Sequence, residues 1–149
     1  MRFLDLPDEG VRIDARVPMD LACGLGLEVR LQVGLAYRAD DPMVLRLTFD
    51  MAGPADEAPV TWVISRELLL DGLDAPTGEG DVHVRPDGTD PDVLRIILRA
   101  PTGTAELRAP APAVHAVLLR SDRLVPFGEE FSAESLEREL ALLLQSTEG

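Results

Sequence analysis

Apolar and polar residues alternate one by one through much of the first two thirds of the chain. Val29, Leu31, Val33, Leu35 and Tyr37 are interleaved with Arg30, Gln32, Gly34, Ala36 and Arg38, and Val11, Ile13, Ala15 and Val17 with Arg12, Asp14 and Arg16. A period of two puts the apolar side chains of an extended segment on one side, so these are strands with one face on a core and the other in water. A third strand is predicted over about 43–49 after the turn signal Asp41-Pro42, and a fourth over about 60–64 after the breaker "AGPADEAP". The Ser65 hydroxyl is placed to cap a short helix running through Leu70, and Gly72 to end it. Strands over about 82–85, 93–99 and 104–108 follow, with "PDGTDPD" and "PTG" as turns.

The period then changes. Val114, Val117 and Leu118 share one helical face after Pro110 and Pro112, and Leu136, Leu140, Leu143 and Leu144 form a stripe on a helix over about 132–145 that Ser132 caps. Strands followed by a helix therefore occur twice, without sequence identity between the halves. The expected fold is α+β, with seven to eight antiparallel strands and three helices, each group of strands followed by helix. At 149 residues the chain fits one domain over 1–149, since a chain of this size buries roughly 68–70% of its unfolded surface.

Between helix and strand lies "LDAPTGEGDVHV", whose glycines raise the possibility of a phosphate cradle. A phosphate loop needs glycines opening into a helix N-terminus, whose amides hold the anion. Here the order is reversed: a helix precedes the glycines, a strand follows, and "TGEGD" carries two acids. Gly78 and Gly80 are read as supplying positive φ in a connection, with Pro76 stiffening its start.

Other candidate chemistry is thin. Cys23 has no partner cysteine and no adjacent base, and with His83 and His115 it makes no zinc spacing. His83 falls on the polar phase of its strand, and His115 lies beside an apolar helical stripe. The acidic pairs Asp40-Asp41, Asp56-Glu57 and Glu129-Glu130 read as solvated turn residues, and the spacing of a calcium loop is missing. Neither a metal nor a cofactor is expected. Trp62, on the apolar phase of a strand, reads as core.

Charge narrows the partners further. Twenty-seven acidic residues face fourteen basic ones, for a net charge of −13. Nucleic-acid binding without sequence preference relies on basic side chains neutralising phosphates, and the field of this chain repels a polyanion. All fourteen basic residues are arginine, and lysine and asparagine are absent, a bias resembling that of very GC-rich genomes such as those of actinobacteria. No apolar run nears the ~20 residues that span a bilayer, and "MRFLDLPDEG" turns acidic before an export signal could develop. A cytoplasmic protein without direct membrane insertion is expected.

One run carries a resemblance. "TWVISRELLLDGLDAPTGEGDVHVRP" resembles the central signature of the SsgA-like proteins, W-x-F-A-R-D-L-L-x-x-G-L-x-x-P-x-G-x-G-D-V-x-V-x-P. Trp62, Arg66, Leu68, Leu69, Gly72, Leu73, Pro76, Gly78, Gly80, Asp81, Val82, Val84 and Pro86 match in register. "GLAYRADDPMVLRLTF" and "APTGTAELRAPAPAVHAVLLRSDRLVPFGEE" are similar to the family's flanking segments, the latter ending in its V-P-x-G-x-E turn. The likeness spans about 34–130. Departures are Ile64 in place of an aromatic, Ser65 for alanine and Glu67 for aspartate; an N-terminal stretch of about twenty-five residues aligns by alternation alone.

The resemblance implies a non-enzymatic regulator of sporulation and cell division in filamentous actinomycetes, with a Whirly-like fold assembled as a bell-shaped homotrimer. Implied partners are the tubulin-like GTPase FtsZ, other division or cell-wall proteins and SsgA-like paralogues, with recruitment to the septum. The alternative is a single-stranded nucleic-acid binder using the Whirly face. Because FtsZ-type proteins are themselves usually acidic, binding is expected to rest on a small apolar or arginine-containing patch, with Arg66, Phe127 and Phe131 as candidates. The competing reading is core packing for the phenylalanines and a surface ion pair for Arg66.

Overall fold

The computed structural model describes residues 12–22, 26–49 and 60–130. Eight strands form one antiparallel sheet: β1 (Arg12–Ala22), β2 (Glu28–Arg38), β3 (Asp41–Phe49), β4 (Val60–Ser65), β5 (Thr77–Glu79), β6 (Val82–Pro86), β7 (Val93–Ala100) and β8 (Gly103–Pro110). Helix α1 (Arg66–Gly72) follows β4, and helix α2 (Ala111–Leu124) follows β8. The order across the sheet is β4-β3-β2-β1-β8-β7-β6-β5. Two four-stranded meanders, each ending in a helix, are thus joined edge to edge. Their seam is three residue pairs long: Asp20 with Arg108, Leu21 with Leu107 and Ala22 with Glu106.

The expected alternation is realised on the inner face at Ile13 and Val17 and from Val33 to Tyr37, while Val29, expected on the core face, is 46% exposed. Ile13, Val17 and Met19, then Val33, Leu35 and Tyr37, then Leu45, Leu47 and Phe49 are all buried. Val114, Val117 and Leu118 of α2 close over them, where the helical period placed them. Trp62 is partly buried against this core. α1 packs against β3 and β4 and also against β5 and β6, at the opposite end of the sheet. The sheet is therefore curled, and α1 bridges its two ends. Of the three expected helices, two lie among the described residues; the one expected over about 132–145 lies outside them, as do Cys23 and the pair Asp56-Glu57.

Two glycine assignments change. Gly72 does not end α1 through a left-handed backbone, since it is itself the last helical residue. It is needed because α1 lies directly on β6, where a Cβ at Gly72 would stand 2.6 Å from Val84 Cβ. Residues 77–79, read as loop, form strand β5, which pairs with β6 from Thr77–Val84 to Glu79–Val82. The connection is a two-residue hairpin turn, Gly80-Asp81. Gly80 has the expected positive φ, +60°, as a turn of this length demands. Gly78 does not; it lies flat opposite His83, and a Cβ there would stand 2.6 Å from the imidazole Cε1.

The two positions should therefore respond differently to alanine. Gly80→Ala forces a side chain into the left-handed region and should cost about 1 kcal/mol in denaturant unfolding. Gly78→Ala should be relieved by a second change, His83→Ala, because its obstacle is a side chain. A Gly80→Ala variant of unchanged stability, or a Gly78→Ala cost that persists without the imidazole, would contradict these assignments.

Candidate functional site

Arg66 is a charged side chain sealed inside the protein, with 0% exposure. Its place follows from the capping of α1: Ser65 Oγ accepts a hydrogen bond from the Leu68 amide at 3.2 Å, so Arg66 begins the helix beside the end of β4. From there the guanidinium enters a polar pocket at the C-terminal end of α2. Its Nη1 donates to Ser121 Oγ (3.1 Å) and its Nη2 to the Val125 carbonyl (2.6 Å). Both Nε (3.2 Å) and Nη2 (2.9 Å) donate to Glu130 Oε2. Two rings complete the enclosure, with the Phe127 centroid 4.1 Å and the Tyr37 centroid 5.1 Å from the guanidinium carbon.

The partners are held as firmly as the cation. Ser121 Oγ donates to the Leu118 carbonyl at 2.6 Å, and the Phe127 amide donates to Asp122 Oδ1 at 2.8 Å. Gly128, at φ +91°, turns its amide onto Glu130 Oε1 at 2.8 Å. Burial pushes the Glu130 carboxyl up, but its own backbone amide, the Arg66 guanidinium and the Gly128 amide together hold it below its ordinary value. Burial pushes the Tyr37 phenol up to about 12, against the pull of Arg66. Tyr37 is therefore neutral, and its hydroxyl donates to the Pro42 carbonyl at 3.0 Å.

The expectation of Arg66 as a surface contact is thus corrected. All three guanidinium nitrogens are used within the chain, and no face of the group is open to a partner. Phe127 is partly buried, packed against the core and stacked on Arg66, which favours the packing reading for it. Phe131 lies outside the described residues. Glu130, read as a solvated turn acid, is the counter-ion of the clamp, its side chain 10% exposed. Ser121, Tyr37 and Glu130 were missed as members of this centre. The signal available was that Arg66 and Glu130 are both fixed positions of the family pattern.

A second polar cluster sits on the outer face of the sheet. Asp87, buried after β6, accepts from Thr89 Oγ1 at 2.8 Å and from Arg95 Nε. Those bonds hold its carboxyl down to about 2. Arg95 also reaches Glu106 at 2.6 Å. These are cross-strand pairs tying β6, β7 and β8 together. The other acidic pair is occupied too, Asp40 by Arg38 and Asp41 by Arg46, each at 2.7 Å. Among the described residues no three His, Cys, Asp or Glu side chains are grouped to hold a metal ion, and His115 is exposed.

Known proteins share this architecture and sequence. The family model for the Streptomyces sporulation and cell division protein SsgA matches residues 31–130. The sporulation-specific cell division protein SsgB of Kineococcus radiotolerans is 38% identical over 142 residues, covering 93% of this chain and 84% of the relative. SsgB of Streptomyces coelicolor is 41% identical over 112 residues, covering 74% of this chain and 80% of that one. Among solved structures, the SsgA-like sporulation-specific cell division protein of Thermobifida fusca superposes with a TM-score of 0.75 at 33% identity, covering 87% of this chain and 93% of that one. A structure from work correlating mutations in SsgB with longitudinal cell division during sporulation of Streptomyces coelicolor gives a TM-score of 0.71 at 37% identity, covering 80% and 92%. With the family model matched over residues 31–130 and a relative 38% identical over 93% of its length, the chain belongs to the SsgA family of sporulation and cell division proteins.

Proposed function

We propose that this protein is a non-enzymatic adaptor in sporulation-associated cell division, acting in the cytoplasm and recruited to the septum, where it helps position or activate FtsZ or cell-wall remodelling. The observation that carries the reading is the likeness to sporulation-specific cell division proteins over 93% of the chain. A physical point supports it: the most elaborate polar centre among the described residues is saturated from within, as suits a scaffold whose work is done by its surface. Kinship with the Whirly scaffold and assembly as a homotrimer belong to the same reading. Val60 and Val63 on edge strand β4, 50% and 54% exposed, give copies of the chain an apolar border to share.

Co-sedimentation with FtsZ polymers from the same organism tests the adaptor role. The chain should pellet only with polymer, and because both partners are acidic, moderate salt should leave the association unchanged or strengthen it. A chain that stayed in the supernatant, yet was retained on single-stranded DNA at low salt, would overturn the adaptor in favour of a nucleic-acid binder.

A further inference from the structure

The hairpin β5–β6 and the neighbouring strand β7 enclose a shallow depression on the outer face of the sheet. Its lining includes Thr77, Gly78, His83, Arg85, Ile97 and Arg99, and no carboxylate. In a chain with 27 acidic and 14 basic residues, a cavity whose charged side chains are two arginines runs against the average. The arginines are also lightly engaged. Arg85 is 48% exposed, its nearest carboxylate oxygen is Glu106 Oε1 at 3.8 Å, and that same oxygen is held by Arg95 at 2.6 Å. Arg99 is exposed, and among the described residues no ion pair involves it.

Register fixes the spacing. Arg85 faces Arg95 across the β6–β7 pair, His83 faces Ile97, and the Arg99 amide donates to the Asp81 carbonyl at 2.9 Å. The line Arg85, His83, Arg99 thus advances two residues along the sheet per step. Each step is about 6.8 Å, so the backbone positions of the two arginines lie on the order of 14 Å apart along the strands. An extended peptide repeats its side chains at the same interval, and carboxylates four positions apart would meet both arginines. The residue midway would rest on the half-buried Ile97. Gly78 keeps this floor open, because a side chain there would displace the His83 ring.

We propose that this depression binds an extended acidic segment of a protein partner, with carboxylates at positions i and i+4 paired to Arg85 and Arg99. Short acidic segments are favoured over nucleic acid because they need only a local cationic surface. A long polyanion would also meet the net charge of −13. At 0.15 M salt the Debye length of about 8 Å screens the distant acids of the chain and spares contact pairs.

The inference rests on the adaptor reading for the kind of partner, and it is tested on the full chain without that partner. The probe is a fluorescein-labelled peptide with aspartates four positions apart, valine midway and threonine elsewhere, followed by anisotropy at 0.15 M salt. Saturable binding is expected, lost when asparagine replaces aspartate. It should weaken at least about tenfold in the double variant Arg85→Gln/Arg99→Gln, with an unchanged melting temperature. Absence of binding, or equal binding by the double variant, would refute the proposal. So would displacement by millimolar inorganic phosphate, which would mark a general anion site, or tighter binding of oligothymidylate, which would mark a nucleic-acid face. Failure here leaves FtsZ co-sedimentation of the wild-type chain untouched, and failure of co-sedimentation leaves the peptide isotherm standing.

Discussion

Replacing Arg66 by methionine is expected to cost about 3–5 kcal/mol of folding stability, the range for removing one member of a buried ion pair. The loss comes mainly from what is left behind: Glu130, 10% exposed, would keep a carboxylate without its cation, and the Val125 carbonyl and Ser121 hydroxyl would each lose a donor. Removing the second charge as well should recover a large part, so Arg66→Met/Glu130→Gln should be clearly more stable than Arg66→Met alone. Acid provides a further signature. In the wild type the Glu130 carboxyl is held below its ordinary value, so its stabilising contribution is present above the unfolded carboxyl pKa of about 4.3 and fades as pH falls through the lower folded value. Without the guanidinium that carboxyl loses two of the influences holding it down and lies above its wild-type value, so the gap between wild type and Arg66→Met should narrow in acid. Urea unfolding at neutral and acidic pH measures all three. Equal stability of wild type and Arg66→Met at neutral pH would contradict the clamp.

The second large effect is expected at Gly72. By propensity alone, alanine in a helix is favoured over glycine by about 1 kcal/mol. Here packing outweighs it. A Cβ at Gly72 would lie 2.6 Å from Val84 Cβ and 3.2 Å from the Val84 backbone carbon, and Val84 is fully buried. The helix would have to lift from the sheet, so Gly72→Ala should destabilise by about 1–3 kcal/mol as overpacking does. Adding Val84→Ala should cost less than the sum of the two single changes, because the second makes room for the first. A stabilised Gly72→Ala variant, or strictly additive costs, would show that α1 does not press on β6 at this point.

These two positions also mark how far the sequence could be read. Strand phases were legible in Ile13–Val17 and Val33–Tyr37 because burial on one face of a sheet imposes a local period, and misleading at Val29, which is exposed. The face of α2 was legible for the same reason. Strand β5 was not, since Thr77-Gly78-Glu79 carries neither alternation nor β-branched bulk beyond one threonine. Gly72 was recognised as special for the wrong physical reason: its obstacle, Val84, is brought to it only by the curl of the sheet. Arg66 was the hardest case. An arginine at a helix start is ordinarily solvated, and nothing local announces partners 55, 59 and 64 residues further on. The family pattern marked both Arg66 and Glu130, yet distance along the chain hid their contact.

The short seam between the two meanders bears on how the chain finds its fold. Within each meander every strand pairs with its sequence neighbour, so those contacts close small loops and cost little chain entropy. Asp20 with Arg108, Leu21 with Leu107 and Ala22 with Glu106 are different, for they bring together β1 and β8, the first and last strands in sequence. Their loop must close before three residue pairs repay it. Within the sheet, this is the join that closes the longest loop. Once it is made, α1 can reach both ends of the sheet and Arg66 can meet Glu130. The clamp thus ties the helix that ends the first meander to the segment that follows the second, across a sheet whose own join is three residue pairs long.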